Sequence, residues 1–145
     1  AMERAQLLPF LAEWLASQPG IEAAVATSPA LADLMLLSNR YDLPGLPTGG
    51  ALPGAVAAGD TAGFTGANEL EQAIIEAFSG RAPAPEGLAL ANRGALGAAI
   101  LRGAAQIEAA RQGNAASLAG ALALFRAIGL ESTARRSALH LLFLA

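Results

Sequence analysis

The fold is indicated most clearly by residues 113–145, which have the sequence GNAASLAGALALFRAIGLESTARRSALHLLFLA. Apolar residues recur every three or four positions in residues 116–128, which indicates a helix with one apolar face. Gly129 followed by Leu130 is typical of a helix C-terminus, and Ser132 can cap a last helix over residues 133–144. The carboxyl end of the chain is therefore predicted to form a helix-turn-helix hairpin.

The whole chain has the composition of a helical protein. Its 145 residues include 37 alanines and 24 leucines, but only two valines and five threonines. Alanine and leucine are strong helix formers, whereas valine and threonine favour strands. We therefore expect an all-α fold of five to six amphipathic helices, arranged as a bundle or a short α-solenoid, in one helical domain over residues 1–145.

Four more helices are predicted upstream of the hairpin, at residues 3–17, 29–39, 69–78 and 88–112, with a short connecting piece over residues 21–26. Asn68 is the expected N-cap of the third of these helices. In the first of them, one helical face carries the large apolar residues Leu7, Leu8, Leu11, Trp14 and Leu15. The last contains Gly94, Gly97 and Gly103, which are costly in a helix unless another helix packs closely against them. A kink, or two separate helices, is the alternative for residues 88–112.

Residues 42–67 differ from the rest of the chain. They contain Pro44, Pro47, Pro53 and seven glycines, and their apolar residues have no sustained period. A loop of this length is uncommon inside a compact domain and is usually functional or disordered. Its apolar residues are more numerous than those of a solvated linker, so we expect part of the segment to pack on the helices; they are Leu43, Leu46, Leu52, Val56 and Phe64.

Several residue types that carry enzyme chemistry are missing. The chain has no cysteine and no lysine, and His140 is its single histidine, so thiolate metal sites, three-histidine zinc sites and lysine-dependent phosphate or Schiff-base chemistry are excluded. We expect no metal, no cofactor and no enzymatic activity. An enzyme that uses His140, or the carboxylates of Glu69, Glu71 and Glu76, is the least favoured alternative.

Charge and hydropathy limit the partners. A formal net charge of −3 argues against nucleic acid. The longest uncharged stretch, residues 43–59, is interrupted by prolines and glycines, so no transmembrane segment is expected. The compartment is not indicated. Ala1-Met2 before Glu3 suggests a domain excised from a larger protein, and an alanine-rich chain with arginine as its only strong base is typical of a bacterial genome of high GC content.

The first functional hypothesis is a non-enzymatic protein–protein interaction or assembly module, the terminal domain of a larger protein, because the low charge content predicts a protein partner or a homo-oligomer. Only 14% of residues are charged, which is little polar surface to cover every helix. The expected interface lies on the last two helices and comprises Phe125, Leu139, His140, Leu142 and Phe143. Arg126, Arg135 and Arg136 could form a basic spot for a carboxylate or phosphate. The alternative is that they form ion pairs with Glu131 and Glu108.

A second functional hypothesis is a carrier or sensor domain for a small apolar molecule. Alanine- and glycine-lined helices with an apolar loop could enclose such a ligand. Contacts with a ligand, or with the loop, are expected at Arg40, Tyr41, Asp42 and Phe64. For the first three residues, a helix C-terminal cap with a local salt bridge is the alternative interpretation.

Overall fold

A computed structural model describes residues 4–38 and 51–144. The described part of the chain is helical, without strands. Its helices are α1 (Arg4–Ala16), α2 (Ile21–Thr27), α3 (Pro29–Met35), α4 (Leu52–Ala58), α5 (Glu69–Phe78), α6 (Pro85–Asn92), α7 (Leu96–Arg111), α8 (Leu118–Ala127) and α9 (Glu131–Leu144). The all-α prediction is confirmed for these residues, and none of their helices is long and apolar enough to cross a bilayer.

Helix α8 lies at the centre of the packing. It contacts α5, α6, α7 and α9, and its buried residues include Leu118, Leu122 and Phe125. A helix that is apolar on every side can be stable in water only when other helices surround it. The apolar run of residues 118–125 therefore explains why α8 takes the central position.

Two glycines allow other helices to approach α8 closely. A Cβ atom on Gly103 of α7 would lie 2.5 Å from the ring of Phe125, and one on Gly87 of α6 would lie 2.3 Å from a methyl carbon of Leu124. Both distances are shorter than van der Waals contact allows. The prediction that Gly103 marks a tight helix crossing is thus confirmed, whereas Gly97 has open space around it.

The prediction of one helix over residues 88–112 is wrong, and its alternative of two helices is confirmed. Helix α6 ends at Asn92 and α7 begins at Leu96. Gly94 lies between them with φ +84°. Only glycine adopts this left-handed conformation without strain, so the chain turns there and α6 packs against α7.

The structure also corrects the prediction of a long loop over residues 42–67. Helix α4 interrupts it, with Ala55, Val56 and Ala57 buried among the other helices. Residues 42–50 lie outside the described part of the chain. Nearby, Thr61 is buried and its hydroxyl donates a hydrogen bond to the carbonyl oxygen of Ile75 at 2.7 Å.

Two further differences concern helix boundaries. Residues 21–26, predicted only as a short connecting piece, belong to helix α2, which extends to Thr27. Helix α9 begins at Glu131, so Ser132 lies in its first turn and is not its N-cap. By contrast, Asn68 caps α5 as predicted, because its side-chain oxygen accepts a hydrogen bond from the backbone N–H of Glu71.

Glu131 and two arginines tie α4 and α5 to the hairpin of α8 and α9. Arg126 donates hydrogen bonds to the carbonyl oxygens of Ala77 at 2.9 Å and Gly59 at 3.2 Å. Arg135 donates to the carbonyl oxygen of Ala57 at 2.9 Å, and the carboxylate of Glu131 accepts from both guanidinium groups. We call these three charged side chains the arginine clamp. It satisfies carbonyl groups that helix ends leave without partners.

The clamp makes the stability of the fold depend on pH. Burial acts to raise the pKa of the Glu131 carboxyl, but hydrogen bonds from Arg126 and Arg135 outweigh it and lower that pKa below its ordinary value. A lowered pKa stabilises the fold above the ordinary glutamate range, and this stabilisation is lost as the pH falls through the folded-state pKa. In denaturant titrations, wild type should therefore exceed Glu131→Gln in stability near neutral pH, and the difference should shrink in acid.

The control for this titration is Glu22→Gln, which alters an exposed glutamate of α2 in the same way. Its difference from wild type should stay small across the same pH range. A Glu131→Gln difference that is constant with pH would contradict the assigned role of the carboxylate.

Candidate interaction surface

Helix α1 exposes a row of large apolar side chains. Leu7 is 47% exposed, Phe10 69%, Leu11 36% and Trp14 53%. Their spacing of three, four and seven residues places them on one face of the helix. We call these four residues the α1 stripe.

The opposite face of α1 carries the small residues and is the buried one. Pro9, Ala12 and Ala16 are buried, and the helix contacts α3 and α9. Leu8 and Leu15 are partly buried and pack at the edge of the core. The predicted apolar face is thus divided: Leu8 and Leu15 pack at the edge of the core, and Leu7, Leu11 and Trp14 are exposed to solvent. The cause is that the small alanine side chains let α1 lie close to its neighbours.

One ion pair joins α1 to α9, and local hydrogen bonds close the C-terminal end of α1. Glu13 forms an ion pair with Arg136 of α9. At the end of the helix, the Ser17 hydroxyl and the Gln18 side-chain amide donate hydrogen bonds to the carbonyl oxygen of Trp14, at 2.6 Å and 3.1 Å. Glu13 is the only ionisable residue among residues 7–16. The α1 stripe itself therefore carries no charge.

Helix α7 also exposes two leucines, but they do not form a comparable surface. Leu96 is 46% exposed and Leu101 is 73% exposed. Five residues correspond to about 140° around a helix, so the two side chains point in different directions. Single exposed leucines are ordinary on protein surfaces.

The structure places most of the predicted C-terminal interface inside the molecule. Phe125 and Leu139 are 3% and 0% exposed, so a partner could reach them only if the helices separated. Leu142 and Phe143 are partly buried and pack against the core. The reason is that other helices surround α8 and that α9 packs the face with Leu139 against them, which sequence spacing alone does not reveal.

His140 lies at an open groove of about 330 Å³ on α9, lined also by Ser132, Thr133, Arg136 and Ser137. Burial and the neighbouring charge of Arg136 lower the pKa of His140, while Glu13 acts in the opposite direction. Its Nε2 atom is buried and has no hydrogen-bond partner within the described part of the chain. The carboxylate of Glu13, which acts on the pKa of His140, also pairs with Arg136.

The other candidate polar residues have structural contacts. Arg126 and Arg135 belong to the arginine clamp, and Arg136 pairs with Glu13. Of the two predicted glutamate partners, Glu131 binds Arg126 and Arg135, whereas Glu108 binds Arg111. The predicted basic spot is therefore occupied by the protein's own groups.

Two of the three candidate glutamates of α5, Glu71 and Glu76, also have contacts within the protein. Glu71 accepts a hydrogen bond from the backbone N–H of Ala67 at 2.8 Å, and Glu76 pairs with Arg81. Across residues 4–38 and 51–144, no group of three or more histidine or acidic residues is arranged to hold a metal ion.

Of the predicted ligand contacts, only Phe64 lies within the described part of the chain. Arg40, Tyr41 and Asp42 lie outside it. Phe64 is partly buried near Thr61. Open surface grooves of about 470 Å³ and 380 Å³ lie where Asn68 and Glu69 of the α5 region approach Ala115.

Sequence reasoning placed Leu7, Leu11 and Trp14 on one face but missed Phe10 and the exposure of the row. The sequence of α1 did contain a pattern that separates two faces: Pro9, Ala12 and Ala16 recur at helical spacing on the side opposite the large apolar residues. A helix with one face of small residues and one face of large apolar residues can pack either face against the core.

No family model, no curated protein and no solved structure matches this chain, so its function is inferred from the surface itself.

Proposed function

We propose that this chain is a helical bundle that acts as a non-enzymatic protein–protein interaction module, and that it binds through the α1 stripe. The observation that carries the proposal is the row of Leu7, Phe10, Leu11 and Trp14 on one solvent-facing side of α1. Small residues are buried on the other side, so the largest side chains of the helix are the ones left outside.

The size of the stripe supports this function. Its exposed fractions correspond to about 400 Å² of surface, if a whole aromatic side chain contributes about 150–250 Å². Apolar patches of about 300–600 Å² are the largest that typical monomers show, and they are often functional. Phenylalanine and tryptophan are also enriched in protein interfaces, and tryptophan is enriched among the residues that dominate binding energy.

The packing favours a bundle over a solenoid. In a solenoid each repeat contacts only its neighbours along the chain. Here α1 and α4 both contact α9, and α5 contacts α8. Helix α1 itself contacts α3 and α9, which supports a role in presenting its other face to a partner.

The non-enzymatic part of the proposal is supported by the contacts of the polar residues. Four of the candidate residues bind the protein's own backbone or side chains: Glu71, Glu76, Glu131 and Arg126. The carrier hypothesis stays a prediction. The grooves at Asn68 are open to solvent, and the predicted loop leucines Leu43 and Leu46 lie outside the described residues.

The proposal can be tested by photo-crosslinking in the native cell. We expect benzoylphenylalanine at position 10 of the full-length protein to give discrete covalent adducts with another polypeptide. Adding Trp14→Glu should abolish these adducts, because the charge disrupts the same apolar surface. Mass spectrometry then identifies the linked chain.

The matched control is benzoylphenylalanine at position 101, which replaces the most exposed leucine of α7. It should not give the same adducts. The proposed function is contradicted if position 10 gives no adduct, or if the adducts from position 10 persist in the Trp14→Glu background.

A further inference from the structure

We infer that the occupant of the α1 stripe is the α1 stripe of a second copy of this chain, with the two helices antiparallel. This inference rests on the proposed function and adds the identity of the partner. It follows from three properties of the stripe: its lack of charge, the order of its side chains and its area.

The first property is the lack of charge. Between residues 7 and 16 the only ionisable group is Glu13, and it is paired with Arg136 of the same chain. A charged partner surface would find no opposite charge on the stripe and would lose water without compensation. A second copy presents an uncharged apolar row of the same length, and it brings no like charge against the stripe.

The second property is the order of the side chains. An antiparallel pair with its two-fold axis between positions 10 and 11 brings Leu7 against Trp14 of the second copy, and Phe10 against Leu11 of that copy. Every contact then joins an aromatic ring to a leucine, so the two helix axes stay evenly spaced. The symmetry is also the self-complementary kind that closes a dimer.

A parallel pair in register would be much less well packed. Trp14 would meet Trp14 and Leu7 would meet Leu7. The bulky end would hold the helices apart, and a gap would remain at the leucine end, where contacts are lost. The order of the residues therefore favours the antiparallel pair.

The third property is area. Two stripes of about 400 Å² each would bury about 800 Å² in total, estimated from the size of aromatic side chains. Stable complexes bury about 1,200–2,000 Å², and weak reversible complexes bury less. The partly exposed Leu8 and Leu15 beside the stripe can add to the contact. The expected dimer is thus reversible and depends on concentration.

Sedimentation equilibrium of the purified protein over a wide concentration range tests the self-association. The mass should rise from one chain towards two as the concentration increases. Trp14→Glu should weaken the dimer by about tenfold or more, since one anchor side chain is replaced by a charge. Leu101→Glu, which places the same charge on α7, should behave as wild type. Circular dichroism verifies that both variants are folded.

Cysteine variants test the orientation, because the chain has no cysteine of its own. In the antiparallel pair, two copies of residue 11 are offset by about 1.5 Å along the axis and two copies of residue 7 by about 10 Å. Disulfides require Cα atoms closer than about 7 Å. Leu11→Cys should therefore form a disulfide dimer on oxidation, and Leu7→Cys should not.

Each of the following results would overturn the inference of an antiparallel dimer. Equal disulfide formation by Leu7→Cys and Leu11→Cys would show a parallel pair. A monomer at every concentration would exclude self-association. If the protein is monomeric while position 10 crosslinks to a different protein in the cell, the proposed function stands and only the identity of the partner is wrong. Binding of the monomer to phosphatidylcholine vesicles, lost in Trp14→Glu, would replace both proposals by a membrane-surface role.

Discussion

Replacement of Arg126 by methionine is expected to lower the free energy of unfolding by about 3 kcal/mol, because a hydrogen bond to a charged group contributes about 1.5–3 kcal/mol and Arg126 makes several. Its guanidinium group donates to the carbonyl oxygens of Ala77 and Gly59 and to the carboxylate of Glu131. It also lies over the ring of Phe78, with 4.7 Å between Cζ and the ring centroid. Methionine keeps the apolar stem but leaves these acceptors without their donor.

The comparison for this prediction is Arg81→Met, measured by the same denaturant unfolding. Arg81 pairs with Glu76, and 55% of its side chain is exposed. Exposed ion pairs contribute about 0–1 kcal/mol, so the loss should be small. Arg126→Lys should recover only part of the stability, since lysine lacks the planar fork that reaches two carbonyl groups at once. Equal losses for Arg126→Met and Arg81→Met would show that the clamp has no special role.

Replacement of Gly103 by valine is expected to destabilise the protein by about 3 kcal/mol, at the upper end of the usual cost of overpacking a core. The new Cβ would lie 2.5 Å from a ring carbon of Phe125, and that ring is itself buried. The ring cannot move without displacing its neighbours, since interiors are densely packed. Thermal or denaturant unfolding, followed by circular dichroism, gives the difference.

Gly97→Val is the matched variant, because it makes the same chemical change in the same helix. A Cβ at Gly97 has nothing within 4 Å. The change in stability should therefore stay within about 0.5 kcal/mol, as for most surface substitutions. A similar loss for the two variants would mean that the close approach of α7 to α8 does not determine the effect at Gly103, since helix propensity alone favours valine over glycine at both positions.

Features with a local cause were predictable. Helix α5 occupies Glu69–Phe78 as expected, because Asn68 caps it and its apolar residues recur at helical spacing. The end of α8 is another example: Gly129 has φ +89° and the backbone N–H of Leu130 donates to the carbonyl oxygen of Phe125 at 2.8 Å. These signals lie within a few residues of each other and act without the rest of the fold.

The candidate site was not predictable in the same way. The apolar C-terminal hairpin was expected to carry the interface, but Phe125 and Leu139 are in the core. Sequence spacing shows that a helix has an apolar face, but it does not show whether that face or the opposite one will be covered. In α1, the alanine face is covered and the face with Phe10 and Trp14 is not.

Composition and short-range patterns thus establish that this chain is helical and where several of its helices begin and end, since helix formation depends on propensity, capping and spacing over a few residues. Which side chains face water depends on contacts between residues far apart in the chain, such as Arg126 with Ala77 and Glu13 with Arg136. Those contacts exist only once α1, α5, α8 and α9 are assembled. The exposed α1 stripe is a product of that assembly, because the close packing of Ala12 and Ala16 turns the aromatic residues outward.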